Sequence, residues 1–249
     1  MNQVAIVTGS GKKRVGYHVA KALAKRGYSV AIHYRSSLEE AQETVEEIRS
    51  LGVDSHSFQG NLADESEVKR LADEVFHLFG RVDVLVNCAA VWPRKRLEEV
   101  TAFDVLRCFE TNTLGTFLMC QQFGLRMVQQ ETGGVIINLG DWAEARPYPA
   151  YAAYFPSKAA IPGLTRTFAV ELGTRNPKVR VNAILPGPVM LPVDLPPQEK
   201  EDAIAATLVQ REGQPENIAQ AVLSLVENNF ITGVCLPVDG GRSIFARGY

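Results

Sequence analysis

The chain has 249 residues, 46% of them hydrophobic and 22% charged, and its formal net charge is −2. Such a length and mixed composition suit one globular domain over residues 1–249 and argue against a disordered or fibrous protein. The small negative charge argues against a nucleic-acid partner and the apolar runs are too short for a membrane span, so we expect a cytoplasmic protein with neither partner.

Short apolar segments rich in β-branched residues alternate with longer segments of helical periodicity. The predicted strands are 4–7, 30–34, 55–59, 82–86, 135–139, 179–185 and 234–238, and the clearest helical segments are 15–26, 38–51, 65–79 and 215–226. Continuous apolar strands are buried on both faces, which is typical of parallel sheets with right-handed crossovers. The sequence therefore predicts a single-domain α/β Rossmann fold, doubly wound around a mainly seven-stranded parallel sheet.

The turn after the first strand is rich in glycine and basic residues. Glycines let the backbone approach a pyrophosphate, and the following helix start supplies N–H donors. Arg14 stands where the third glycine of a G-x-G-x-x-G pattern would be, so an ordinary glycine-rich turn is the alternative. The residues predicted to contact a dinucleotide here are Gly9, Lys12, Lys13, Arg14 and Val15.

The end of the second strand indicates which dinucleotide is bound. It carries Tyr34, Arg35 and Ser36, whereas an NAD-preferring fold has an acidic residue there for the ribose 2′-hydroxyl. The guanidinium of Arg35 suits a 2′-phosphate, and we expect the basic residues 12–14 to converge on the same corner. The sequence therefore predicts NADPH, with solvated surface charge as the alternative.

The loops after the next two strands complete the predicted cofactor contacts. Asn61 and Leu62 are expected to flank the adenine after the third strand. After the fourth strand, Asn87, Ala89 and Ala90 are expected to line the ribose and nicotinamide side. The four cysteines lack the paired spacing of a zinc site, so we expect no metal.

Candidate reacting groups follow the fifth strand. Tyr154 and Lys158 stand four residues apart, which places both on one face of a helix, and an ammonium near a phenol favours the phenolate. Asp141 follows strand 135–139 at the same sheet edge, and Asn112 lies in a helical region before that strand. The prolines at positions 156 and 162 disfavour a helix here, although proline is tolerated in a first turn.

In these motifs the chain resembles the short-chain dehydrogenase/reductase family over essentially its whole length. The matching segments are 8–16, 87–90, 112–115, 154–160, 180–182, 186–187 and 238–241. The resemblance implies that Tyr154 is the acid/base, that Lys158 lowers its pKa and binds the nicotinamide ribose, and that Asn112 supports a water-linked proton relay. It also implies cofactor contacts by Pro186, Gly187 and Val189.

One departure from the family pattern points to a branch. Asp141 stands where the family has serine, and with Trp92 and the Pro-rich 191–197 segment this is similar to the pteridine reductase and dihydromonapterin reductase branch. That branch implies reduction of a dihydropterin stacked on Trp92, with Asp141 and Tyr154 protonating it and Leu191 in a substrate loop and helix over 186–212. The alternatives are that Asp141 is a loop or capping residue and Trp92 a half-buried hydrophobe.

Two other functions remain open. The first is an NADPH-dependent carbonyl reductase acting on a 3-oxoacyl or other ketone, although an ionised Asp141 cannot donate a hydrogen bond to a ketone oxygen as serine can. The second is a catalytically silent NADPH-binding sensor or scaffold. The resemblance further implies a homotetramer that pairs the helices containing Tyr154 and the final strands, with Arg247 near a neighbour's site.

Overall fold

The computed structural model describes residues 2–245 and contains one sheet of seven parallel strands. The strands are β1 Val4–Val7, β2 Ser29–Tyr34, β3 Ser55–Gln59, β4 Val84–Asn87, β5 Gly134–Leu139, β6 Val179–Pro186 and β7 Cys235–Val238. Their order in the sheet is β3-β2-β1-β4-β5-β6-β7. The predicted α/β class with a seven-stranded parallel sheet is confirmed, and the strand bounds differ from the expected ones by at most two residues.

Helices cover both faces of the sheet. They are α1 Val15–Ala24, α2 Leu38–Arg49, α3 Glu65–Phe79, α4 Ala102–Cys108, α5 Gly115–Val128, α6 Tyr154–Ala159, α7 Ile161–Gly173, α8 Pro197–Ala205 and α9 Pro215–Glu227. None of the helices described in residues 2–245 is long and apolar enough to cross a membrane. A π-helical segment, Phe109–Leu114, joins α4 to α5.

Two apolar cores hold the layers together. On one face Leu23 of α1 and Val222 of α9 pack against β1, and on the other Phe123 of α5 packs against β4 and β5. Each fully buried side chain of this size contributes about 1.5–3 kcal/mol to folding. The helices are thereby fixed against the sheet, so the loops at the carboxyl ends of the strands have rigid supports.

The sheet order locates the crevice where a ligand fits. From β1 the chain passes outward through β2 to β3 on one side and then crosses back to β4 on the other side of β1, so Val7 is paired with both Ile32 and Val86. In open α/β sheets ligands bind at such a reversal, beyond the carboxyl ends of the strands. The glycine-rich turn and the β4 loop both lie at this point.

The helix that carries Tyr154 is short because of its prolines. The chain turns at Ala160, so α6 ends at Ala159 and α7 begins at Ile161. Pro162 is the second residue of α7, where its missing N–H costs no hydrogen bond. Tyr154 and Lys158 nevertheless share α6, as their spacing predicts.

Candidate active site

The glycine-rich turn is shaped by a close backbone approach. Gly9 has φ +64°, and a Cβ there would lie 2.9 Å from the Cα of Ala89. The Thr8 hydroxyl accepts hydrogen bonds from the Cys88 and Ala89 N–H groups, at 2.9 and 3.0 Å. The β1 turn and the β4 loop are therefore held together at the reversal point of the sheet.

The start of α1 is open to an anion. Arg14 occupies the capping position, but its side chain forms no capping hydrogen bond and the first turn carries no acidic residue. The unpaired N–H groups and the helix dipole favour a negative group at this end. A dinucleotide pyrophosphate fits this donor set, with Val15 at the first turn.

His33, a buried histidine in β2, supports the glycine-rich turn. Its position in the sequence did not predict this role. His33 Nδ1 accepts from the Gly9 N–H at 3.0 Å, and Nε2 lies 3.0 Å from the Gly60 carbonyl oxygen, to which it donates. This arrangement requires a neutral ring with its proton on Nε2. Burial lowers the pKa of His33 to about 4. A histidine at the end of an otherwise apolar strand was the available signal.

The His33 contacts predict a pH-dependent stability. The unfolded histidine binds a proton as the pH falls below its ordinary pKa of 6.5, while the folded one stays neutral until about 4. The free energy of unfolding should therefore fall by up to about 3 kcal/mol between these pH values. Urea unfolding at pH 7 and pH 4.5 measures it. His33→Gln does not titrate there and should lose less stability over this range; an equal loss in both proteins contradicts this prediction.

The basic residues of the turn have separate side-chain partners. Lys12 is paired with Glu40 at 3.5 Å and Lys13 with Glu47 at 2.6 Å. The Arg14 guanidinium carbon lies 4.8 Å from the centre of the Trp92 ring. Lys12 and Lys13 each have a carboxylate partner in α2 and Arg14 lies on an aromatic face, so their convergence on the 2′-phosphate corner stays a prediction.

Arg35 lies at the corner where β2 ends. Arg35 and Ser36 are exposed, whereas Tyr34 is buried. Within residues 2–245 the Arg35 guanidinium forms no ion pair, so it is available to a ligand. The assignment of Arg35 to the 2′-phosphate stays a prediction that this placement supports.

The remaining predicted cofactor residues lie around the same crevice. The Leu62 side chain is buried in the core beside α3 and α5, while Asn61 is partly exposed after β3. Asn87 donates to Asn138 Oδ1 at 2.9 Å, and its own Oδ1 is buried without a partner among the described residues. Ala89 and Ala90 are partly exposed. An unpaired buried acceptor at this place is consistent with a missing ligand or water.

The segment after β6 closes the crevice. Pro186 ends β6, the Gly187 N–H donates to Val238 at 3.0 Å, and a Cβ at Gly187 would lie 2.4 Å from the Asp239 Cα. Val189 pairs with Gly213, and the Leu191 N–H donates to Glu212 at 2.8 Å. The substrate role of Leu191 and of the loop and helix over 186–212 stays a prediction.

Asn112 lies in the π-helical segment, is fully buried and forms hydrogen bonds to two other segments. Its Oδ1 accepts from the Val91 N–H at 2.8 Å, and its Nδ2 donates to the Val91 carbonyl and the Ser157 hydroxyl, each at 2.9 Å. Asn112 thereby connects the β4 loop, which carries Trp92, to the helix of Tyr154. The proton-relay role stays a prediction, because these side-chain groups are already engaged.

Asp141 and Tyr154 form a pair at the carboxyl edge of the sheet. The Tyr154 hydroxyl donates to Asp141 Oδ2 at 2.8 Å, and Asp141 Oδ1 accepts from the Ala143 N–H at 2.8 Å. Asp141 therefore does cap the short 3₁₀ turn Trp142–Glu144, and it also contacts the phenol. Burial raises the pKa of Asp141, against the opposing effects of its hydrogen bonds and of the Lys158 and Arg242 charges.

Lys158 lies below this pair and is almost fully buried. Its ammonium donates to the Leu139 carbonyl at 2.6 Å, and within residues 2–245 this is its one hydrogen bond, so two donors remain for a ligand. Burial lowers the pKa of Lys158 to about 8. Burial and the Asp141 charge raise the pKa of Tyr154 well above 10.0, opposite to the direction expected from Lys158 alone.

Comparison with known proteins places the chain. A family model described as "Enoyl-(Acyl carrier protein) reductase" matches residues 10–243. The chain is 37% identical to the 3-oxoacyl-(acyl-carrier-protein) reductase FabG of Staphylococcus aureus, over 97% of this chain and 98% of that protein. The crystal structure of an acetoin dehydrogenase from Enterobacter cloacae superposes with a TM-score of 0.89 at 30% identity, covering 100% and 98% of the two chains. The chain belongs to the short-chain dehydrogenase/reductase family.

These findings define a short-chain oxidoreductase of a family that uses a nicotinamide cofactor. A further relative, 32% identical over 98% of this chain, is the 3beta-hydroxysteroid dehydrogenase 1 of Eggerthella lenta, of which 94% is covered. The three relatives are named for a 3-oxoacyl group, acetoin and a hydroxysteroid, and none of them for a pterin. They support the carbonyl-reductase alternative better than the pterin reading.

Proposed function

We propose that the protein is an NADPH-dependent carbonyl reductase, with a 3-oxoacyl thioester as the leading substrate class. The observation that carries the proposal is the 2.8 Å hydrogen bond between the Tyr154 hydroxyl and Asp141, a proton-delivering pair at the ligand edge of the sheet. The full-length similarity to a 3-oxoacyl reductase supports the substrate class. NADPH oxidation on addition of a 3-oxoacyl thioester tests it.

The residues present fit a nicotinamide dinucleotide. The uncapped start of α1 suits the pyrophosphate, Arg35 the 2′-phosphate, and the unused donors of Lys158 the nicotinamide ribose. When bound, NADPH would supply the hydride that the carbonyl carbon accepts. The protein then has to place the carbonyl group and provide one proton to its oxygen.

Tyr154 and Asp141 would provide that proton in sequence. The phenol gives its proton to the carbonyl oxygen as negative charge develops there, and a neutral Asp141 returns a proton to the phenol oxygen across their contact. Asp141 is left ionised and takes its next proton from water. The product is an alcohol, formed by one hydride and one proton.

A neutral Asp141 would meet the objection to a ketone substrate. An ionised carboxylate accepts hydrogen bonds only, but a neutral carboxyl group also has an O–H donor, as the family's serine does. Because burial favours the neutral form, Asp141 can serve at the serine position. Activity should accordingly be present at low pH and decline as Asp141 ionises.

Pterin reduction is the second candidate, and the identity of Asp141 favours it. A carboxyl group suits a heterocycle that is protonated at a ring nitrogen, because the carboxylate left behind stabilises the cation. Trp92 is 45% exposed and offers a face for a flat ring, next to the Arg14 guanidinium that lies over its indole. A dihydropterin belongs in the same assay as the thioester.

Cofactor preference gives a direct prediction. Arg35→Asp should lower the affinity for NADPH by roughly ten- to a hundredfold, the usual cost of a charged phosphate contact, and reverse the preference towards NADH. The ratio of kcat/KM for NADPH and NADH measures it. Arg26→Asp, at the far end of α1, changes the net charge equally and should leave the ratio unchanged. Equal use of NADH by the unaltered protein would refute the NADPH assignment.

A homotetramer is the assembly we propose. Helices α4 and α5 leave large apolar side chains in solvent, among them Phe103, Leu106 and Leu125. Large apolar side chains left in solvent favour burial in an interface between copies of the chain. Arg247, expected near a neighbour's site, lies outside the described residues. Light scattering at micromolar concentration should give four times the 27.3 kDa chain mass, and a monomeric mass would refute the assembly.

A further inference from the structure

The C-terminal turn brings an arginine to the Asp141 loop. The Asp239 carboxylate accepts from the Gly241 N–H at 2.9 Å and from the Ser243 N–H at 2.7 Å, which fixes the turn after β7. Within this turn, the guanidinium carbon of Arg242 lies 4.5 Å from the centre of the Trp142 ring. Trp142 directly follows Asp141, so a cation from the C-terminal turn lies on the loop that carries Asp141.

Arg242 also contacts the helix after β6. Its Nη1 donates to the carbonyl of Ala203 in α8, while its own carbonyl accepts from Arg146 at 3.1 Å. Helix α8 buries no side chain fully, so a contact at its last turn matters for its position. One side chain therefore joins the C-terminal turn, α8 and the Asp141 loop.

The Arg242 side chain has a hydrogen-bond donor that is not used within the described part of the chain. Arg242 Nε is buried and has no hydrogen-bond partner among residues 2–245. Trp142 is also stacked on Tyr148, with ring centres 6.0 Å apart, so the indole that the guanidinium contacts is itself held in place. A fixed positive charge in a partly desolvated place acts strongly on a neighbouring carboxyl group.

We propose that Arg242 is a positioning residue that fastens α8 to the Asp141 loop and holds a positive charge on the residue that follows Asp141. Because one Arg242 side chain contacts both α8 and the Asp141 loop, a shift of α8 would also shift the positive charge on that loop. The other titratable groups around the carboxyl are Tyr154 and Lys158 from α6 and Glu144 and Tyr148 from its own loop, and Asp239 of the C-terminal turn acts on Arg242. The inference rests on the proposed function only in giving Asp141 a part in proton delivery.

Infrared titration tests the charge without any substrate. The C=O stretch of the protonated Asp141 carboxyl is identified by its loss in Asp141→Asn, and its midpoint is followed with pH. Arg242→Gln removes a stabilising cation, so the midpoint should move to higher pH, whereas Arg242→Lys should stay near the unaltered protein. Arg175→Gln, at the end of α7, is the control for net charge. An unmoved midpoint in Arg242→Gln overturns the charge role.

Hydrogen exchange tests the positioning. Amides of residues 197–205 should exchange faster in both Arg242 variants than in Arg175→Gln, and the KM for acetoacetyl-CoA should rise roughly two- to tenfold, as for a lost hydrogen bond. Unchanged exchange in Arg242→Lys overturns this role, and that variant keeps the test valid if Arg242→Gln does not fold. Because neither exchange nor the titration needs turnover, failure of the proposed function would be seen separately, as no NADPH oxidation.

Discussion

Tyr154→Phe is expected to slow NADPH oxidation by roughly 10²- to 10⁴-fold, the usual contribution of a positioned general acid. The phenol is the group that would touch the substrate oxygen, and its one side-chain hydrogen bond among the described residues is to Asp141. Phenylalanine keeps the ring packing against Tyr151 and Phe155. Steady-state rates give kcat, and NADPH fluorescence titration gives the cofactor affinity, which should survive.

Tyr151→Phe is the matched control for this substitution. Its ring lies 6.2 Å from that of Tyr154, centre to centre, and it is a neighbour in the same aromatic cluster. It should keep turnover within a small factor of the unaltered protein. Equal losses in the two variants would assign the effect to packing, and full activity of Tyr154→Phe would remove the phenol from the chemistry.

Asp141→Asn is expected to lower turnover by a similar order, roughly 10²-fold or more, because an amide cannot supply a proton to the phenol. Asp141→Ser should retain carbonyl reduction, since it restores the family's hydroxyl donor, and should lose dihydropterin reduction. The measurement is kcat/KM for both substrates as a function of pH. NADPH affinity in each variant serves as the check on folding.

The pH dependence of carbonyl reduction shows which protonation state of Asp141 is active. Burial raises the pKa of Asp141, and the neutral carboxyl is the active form, so the unaltered protein should lose carbonyl reduction as the pH rises through that pKa. Asp141→Ser has no carboxyl there and should lack this decline. If the two profiles coincide over the whole range, the carboxyl has no part in proton delivery.

The fold and the outline of the site could be predicted from local patterns. Buried parallel strands are continuous apolar runs, so all seven were found, and the i, i+4 spacing placed Tyr154 and Lys158 on one helix. The position of Asp141 after β5 was enough to place it near them, because the ends of parallel strands share one edge.

Protonation could not be predicted in the same way. Whether a phenol is ionised depends on its burial and on every charge near it, and the sequence supplied only the charge of Lys158. The structure adds the carboxylate of Asp141 at hydrogen-bond distance and the loss of water, which together raise the pKa of Tyr154. The same burial favours a neutral Asp141, which changes the substrates it can serve.

Side-chain direction was the other gap. The sequence places residues 12–14 near the corner of β2, but Arg14 turns to Trp92, 78 positions further along the chain. Arg242 contacts the Asp141 loop from the C-terminal turn, and no spacing rule connects residues so far apart. Such contacts arise from the packing of separate loops, which local periodicity does not describe.

Comparing two substrates in one assay tests directly whether the protein reduces a ketone or a pterin. Purified protein is given NADPH with acetoacetyl-CoA or with a dihydropterin at equal concentration and slightly acidic pH, and absorbance follows NADPH oxidation. If the protein is a carbonyl reductase with Tyr154 as its proton donor, kcat/KM is higher for the thioester, and Tyr154→Phe loses that activity. Turnover of the dihydropterin with none of the thioester would contradict this assignment.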